Sequence, residues 1–205
     1  MVSVPGTWLQ TVAQAWLVLE LTPSGSALGI TVALQALPVL LLGAHAGAVA
    51  DRSDKRRLLL VTQAGQAGLA LTLGIATVTD VVTLPMVWLL ALGLGLARAL
   101  DVPTRQAFVS ELVDRDALPR AISINSTVAA AARMIGPAGG GVIIALLGVG
   151  ACFLINGLSF LAPLIGLTVM DTTKLHRPET PPPRTPRAVR AGLSYVRSRR
   201  DLLVP

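Results

Sequence analysis

Charge is scarce in this sequence, and aromatic residues and cysteine are scarcer. Only 14% of the 205 residues are charged, against roughly 25% in an ordinary soluble domain, which excludes a chain that folds with its whole surface in water. Aromatic residues make up 3%, so the net charge of +6 lacks the interleaved stacking residues of a nucleic-acid groove, and no nucleic-acid partner is expected. The single cysteine, Cys152, excludes an internal disulfide. It lies in an apolar run and is expected to pack as a small hydrophobe. There is no cluster with metal-ligand spacing, no phosphate-binding loop and no nucleophile elbow. No metal, cofactor or catalytic residue is therefore expected, and a primary pump or membrane enzyme is disfavoured.

What the chain has in abundance is apolar length. Hydrophobic residues reach 53% and mean hydropathy is +0.68. A helix crosses the hydrocarbon core with about 20 apolar residues, and runs of that kind predict six helices, over 5–21, 27–50, 58–78, 84–108, 122–147 and 151–170. The fold class is thus an all-α membrane protein with residues 1–170 as one six-helix unit embedded in the lipid bilayer.

The basic residues alternate from one side to the other. Segments 22–26, 79–83 and 148–150 contain no Lys or Arg. Arg52, Lys55, Arg56 and Arg57 lie between the second and third helices, Arg105, Arg115 and Arg120 at and after the end of the fourth, and eight more follow the sixth. By the positive-inside rule those faces, and with an even number of spans both termini, are expected in the cytoplasm of an inner or plasma membrane. The tail divides into a proline-rich linker over 171–187, containing PETPPPRTP, and a segment over 188–205 in which Val189, Leu193 and Val196 share a helical face. Such a segment suits the surface of anionic lipid.

One stretch exceeds what orientation requires. In Asp51 to Arg57, six of seven residues are charged, and acidic residues contribute little to topology. Gly47, Asp51, Arg52, Lys55 and Arg56 resemble the loop signature of the major facilitator superfamily, G-x-x-x-D-R-x-G-R/K-R/K, with Asp54 in place of its second glycine. Aspartate also tolerates turn geometry. In helix five, Gly136, Pro137, Gly140 and Gly141 match the G-P-x-x-G-G core of that superfamily's antiporter signature, with Ala132 where a glycine is expected. Proline bends a helix and glycines admit a neighbouring backbone, so this helix suits a pivot. LVLELT, DVPTRQAFVSELV and AISINST resemble the drug and siderophore exporter branch called transmembrane secretion effectors.

The resemblance runs from Gly6 to Leu203 and implies one half of a twelve-helix transporter, whose substrate lies between two six-helix halves. A second half is thus an expected partner. The implied function is secondary active export of a small drug-like or siderophore-like molecule by alternating access, with proton antiport. The alternative is a transport-inactive half serving as a membrane scaffold or partner subunit. The resemblance also assigns Asp51 to face a helix N-terminus in the other half, and Lys55 to pair with Asp101 as a latch. Arg98, three residues before Asp101, reads as a structural pair with it or as a gating residue.

Polar residues within spans are costly and face a cavity or a partner helix. Gln10 and Gln14, one turn apart near Thr7, are candidates for the substrate cavity, with interhelical bonding as the alternative. Arg133, about 11 residues into helix five, requires a carboxylate, carbonyls, water or an anionic substrate group, or else supports the kink. Glu20, Asp101 and His45 are weak candidates for proton coupling, and Gln35, Asn125 and Asn156 read as interhelical donors.

Overall fold

The structure, a computed structural model, describes residues 3–112 and 118–170. The proline-rich linker and the amphipathic segment expected over 171–205 lie outside the described residues. Within them the chain is helical, with no strand: α1 (Ser3–Leu21), α2 (Gly25–Arg52), α3 (Lys55–Val78), α4 (Leu84–Leu112), α5 (Leu118–Leu147), α6 (Val149–Ser159) and α7 (Leu161–Val169). Five spans, with α6 and α7 together as one of 21 residues, are long and apolar enough to cross a membrane. The remaining helix, α1, has 19 residues and carries the polar Gln10, Gln14 and Glu20.

Helix ends lie within four residues of the expected ones, and one span differs in kind. The last span, predicted as a single helix over 151–170, breaks at Phe160 into α6 and α7. Pro163 is the cause: it has no N–H for the Ser159 carbonyl four residues back, and its ring crowds that position. The turn closes instead through Phe160 N–H to Gly157 O at 3.3 Å, and the Ser159 hydroxyl bonds the Asn156 carbonyl at 2.7 Å. Pro38, Pro103 and Pro137 lie inside helices that continue through them.

Packing pairs the helices as α2 along α4, α3 against α4 and α6, and α1 against α5 and α6. Small residues permit it. A Cβ on Gly95 of α4 would stand 2.7 Å from the Gln35 carbonyl oxygen of α2, and one on Gly157 of α6 would stand 2.7 Å from Leu71 of α3. With lipid as solvent, such close backbone approach supplies the dispersion contact that burial from water supplies elsewhere. Leu17, Val18, Leu73, Val87, Val149 and Phe153 belong to the main buried cluster, at the end bearing the uncharged 22–24 turn. Leu59, Phe108 and Leu167 form a smaller one at the basic end. Large apolar side chains remain exposed along α2 and α5, including Leu40, Leu41, Met134 and Leu146. They suit contact with lipid or another helical unit.

The α2–α3 connection is only Ser53 and Asp54. Ser53 donates its N–H to Val49 O at 3.0 Å to close α2. Asp54 is the N-cap of α3, its carboxylate accepting from Arg57 N–H at 3.1 Å. The residue that departs from the family's glycine thus has its own local use, worth about 1 kcal/mol at such a position.

Candidate functional site

Between α1, α2, α3, α4 and α5, toward the end that carries the basic loop, lies a cavity of about 460 Å³. Its walls include Thr7, Trp8 and Thr11 of α1, Gln66 of α3, Arg98, Asp101 and Arg105 of α4, and Asn125 and Ala129 of α5. The helices place these groups by simple spacing. Arg98, Asp101 and Arg105 sit at i, i+3 and i+7 on one stripe of α4, and Trp8 and Thr11 are likewise neighbours on α1.

Asp101 anchors the wall. It is 4% exposed, and its Oδ1 accepts from Thr62 Oγ1 at 3.0 Å and Gln63 Nε2 at 2.8 Å. Its Oδ2 accepts from Arg105 Nη2 at 2.8 Å, an ion pair one turn along the same helix. The partner expected for Asp101, Lys55, opens α3. Asp101 stands beside Thr62 and Gln63, and seven residues at a 1.5 Å rise leave Lys55 about 11 Å nearer the loop. Arg98 is half-buried on the cavity wall with Asp101 as its charged neighbour, and among the described residues it makes no hydrogen bond.

The glutamines of α1 are placed differently from the cavity expectation. Gln10 is buried and its Oε1 accepts from Asn156 Nδ2 of α6. Gln14 is buried and its Oε1 accepts from Gln35 Nε2 of α2 at 2.7 Å. Both therefore join helices, and neither lines the cavity. The stripe is real, but it faces inward to α6 and α2 while the next positions, Thr7 and Thr11, reach the cavity. Asn125, read as an interhelical donor, lines the cavity.

Arg133 is exposed on α5, and its guanidinium carbon lies 5.2 Å from the centroid of the Trp8 ring. Its partner is an aromatic face, a cation–π contact that strengthens when water is scarce. An aromatic was absent from the partners expected for it. Pro137, one turn later, leaves the Arg133 carbonyl without its helical donor. Gly140 is buried against Leu9 of α1, and Gly136 is buried while Gly141 is exposed.

In the basic loop, Arg56 donates through Nε to Leu167 O at 2.6 Å and through Nη2 to Thr168 O at 2.9 Å. These carbonyls end α7, where free acceptors and the negative end of the helix dipole favour a cation. The loop is thereby tied to the last span. Asp51 and Arg52 are exposed in the final turn of α2, Lys55 is half-buried, and Gly47 has open space around it. Glu20 accepts from Trp16 Nε1 at 2.7 Å at the opposite end of α1, and His45 is exposed on α2.

Three residues of α3 escaped sequence reasoning. Thr62, Gln63 and Gln66 are buried polar residues in a span, and their appearance at i, i+1 and i+4 within an apolar run was the available signal.

A bundle of five spans and one further helix, with a two-residue turn flanked by charged residues and a cavity at the basic end, invites comparison with known families, and residues 1–204 match the family described as transmembrane secretion effector. The chain belongs to this family. It is similar to the staphyloferrin A transporter of Staphylococcus aureus, with 32% identity over 79% of this chain and 41% of that protein. It is also similar to an uncharacterized MFS-type transporter, YfiS, of Bacillus subtilis, with 27% identity over 96% of this chain and 47% of that protein. The chain thus spans less than half the length of either relative. No solved structure matches. Membership and the apolar helices make the secretion-effector chain a multi-pass membrane protein of major-facilitator type.

Proposed function

We propose that the chain forms one half of a secondary active exporter that carries a small drug-like or siderophore-like molecule across the inner or plasma membrane. The cavity among Thr7, Trp8, Thr11, Gln66, Arg98, Asp101 and Asn125 receives the substrate, and a second six-helix half covers its open side. Support comes foremost from that cavity: a space between helices with an arginine, an aspartate and a glutamine on a largely apolar wall, placed toward the end that carries the basic loop. Polar groups at such depth are retained for a pathway or a partner. The staphyloferrin A transporter adds a siderophore as the first substrate class to try.

Export proceeds by rocking of the two halves about the site. The termini and the basic loop face the cytoplasm. Gly136, Pro137, Gly140 and Gly141 let α5 pivot against α1, while Gly47, Asp51, Arg52, Lys55 and Arg56 latch the cytoplasmic side, Arg56 holding the end of α7 and Asp51 facing the other half. Proton antiport drives the cycle. The test is uptake of staphyloferrin A, and of ethidium as a drug-like probe, into inside-out vesicles bearing the complete polypeptide that contains this chain. Uptake that collapses with a protonophore is expected. Uptake no greater than in empty vesicles for both probes contradicts the export reading.

A further inference from the structure

We propose that the cavity is an anion-accepting site, in which the Arg98 guanidinium and the Gln66 side-chain amide bind a carboxylate-type oxygen of the transported molecule. This rests on the cavity being the substrate site and adds the chemistry of what it holds. Asp101, the acidic residue on the wall, has both oxygens occupied: Thr62 and Gln63 on one, Arg105 on the other. Its single charge faces two guanidiniums, Arg105 in an ion pair and Arg98 beside it, so the three side chains leave a net positive charge on the wall. Arg98 remains, a half-buried guanidinium lining the cavity with no hydrogen bond to another described residue.

Gln66 supplies the independent observation. It is 3% exposed, it lines the same cavity, and its Nε2 is buried without a hydrogen-bond partner. A buried amide donor left unpaired is costly, and a guanidinium within a span is costlier. One anionic oxygen group meets both needs, and guanidinium's planar fork suits a carboxylate. A cationic ligand would instead meet Arg98 and Arg105, with Arg133 behind the Trp8 ring, and the carboxylate on the described wall, Asp101, is already held by three donors. The apolar part of the wall, Trp8, Val39, Val102 and Ala129, accommodates an apolar body, so the fitting ligand is an amphipathic anion.

The experiment uses Ala129→Cys in the complete polypeptide, with Cys152→Ala and no other cysteine, in native membrane vesicles. The thiol is reacted with anionic sulfonatoethyl and cationic trimethylammonioethyl methanethiosulfonates. Arg98→Gln is expected to lower the anionic-to-cationic rate ratio about fivefold, the order for one unit charge removed from a half-hydrated cavity. A ratio unchanged by Arg98→Gln overturns the proposal. Protection of the A129C thiol from neutral methyl methanethiosulfonate then compares 1-pyrenebutyrate with uncharged 1-pyrenebutanol. Stronger protection by the carboxylate, weakened in Gln66→Leu, supports the site; equal protection by both, or by neither, overturns it. Failure of the export reading would appear separately, as absent flux with these rates and protections intact.

Discussion

Replacing Asp101 by alanine removes three hydrogen bonds at once, and their partners fare unequally. Thr62 keeps its bond to the Leu59 carbonyl at 3.2 Å. Arg105, whose side chain is 34% exposed, reaches the cavity and the membrane boundary, so solvent screens its loss to about 1 kcal/mol or less. Gln63 has no such relief. It is 3% exposed, its Oε1 is already unpaired, and without Asp101 its Nε2 joins it, at a cost of roughly 1–3 kcal/mol for the orphaned buried amide. The sum, about 2–4 kcal/mol, corresponds to a fall in apparent melting temperature of roughly 5–10 °C, read by fluorescence-detected size exclusion of the complete polypeptide in mild detergent. The decisive variant is the double one. If the cost resides in Gln63, then Gln63→Leu added to Asp101→Ala recovers about 1–2 kcal/mol by removing the stranded amide, a clear departure from additivity. Strictly additive losses would refute the reasoning, because they would mean that Gln63 does not depend on Asp101.

Other positions give sharper single tests. Asp54→Ala is expected to cost about 1 kcal/mol through loss of the α3 N-cap, and Asp54→Gly only a few tenths, both measurable as shifts in the same melting assay. Gly95→Leu should prevent assembly of a monodisperse protein, since even a Cβ meets the Gln35 carbonyl at 2.7 Å; Gly65→Leu, with open space around it, should elute as wild type. Arg56→Gln removes the cation that caps α7 and should expose the loop, raising the rate of tryptic cleavage at Arg57 several-fold. Asn156→Leu strands Gln10 within the α1–α6 contact and should lower stability by about 1 kcal/mol, an amount typical of interhelical bonds in membranes.

Much of the fold was legible because its governing pattern is one-dimensional. Apolar run length fixes how many times a chain crosses, and the helix ends at Leu21, Val78 and Leu147 fell where the runs stopped. The break at Phe160 was less visible, although Pro163 announced it, because three other prolines sit in helices that continue. The turn at Asp54 was marked by its residue type but read as tolerance, while the structure makes it a cap. For the site, sequence spacing gave stripes without saying what each stripe faces. Gln10 and Gln14 are a true pair on α1, yet rotation of that helix points them at Asn156 and Gln35 and turns Thr7, Trp8 and Thr11 toward the cavity. Arg133 plainly required a partner, but its partner is the face of Trp8, 125 positions earlier by number, which no local pattern discloses. Gln66 belongs to a visible polar group with Thr62 and Gln63 on α3, but spacing along one helix does not show which of the three meets Asp101 and which lines the cavity.

On the export proposal, the cavity bounded by Trp8, Gln66, Arg98 and Ala129 is the path the substrate takes. The most direct measurement attaches a bulky maleimide to Ala129→Cys in inside-out vesicles of the complete polypeptide and follows substrate uptake, with Val61→Cys, 70% exposed and outside the cavity lining, as the control. Uptake abolished by labelling at position 129 and retained after labelling at position 61 is the predicted result. Undiminished uptake with position 129 fully labelled would contradict it.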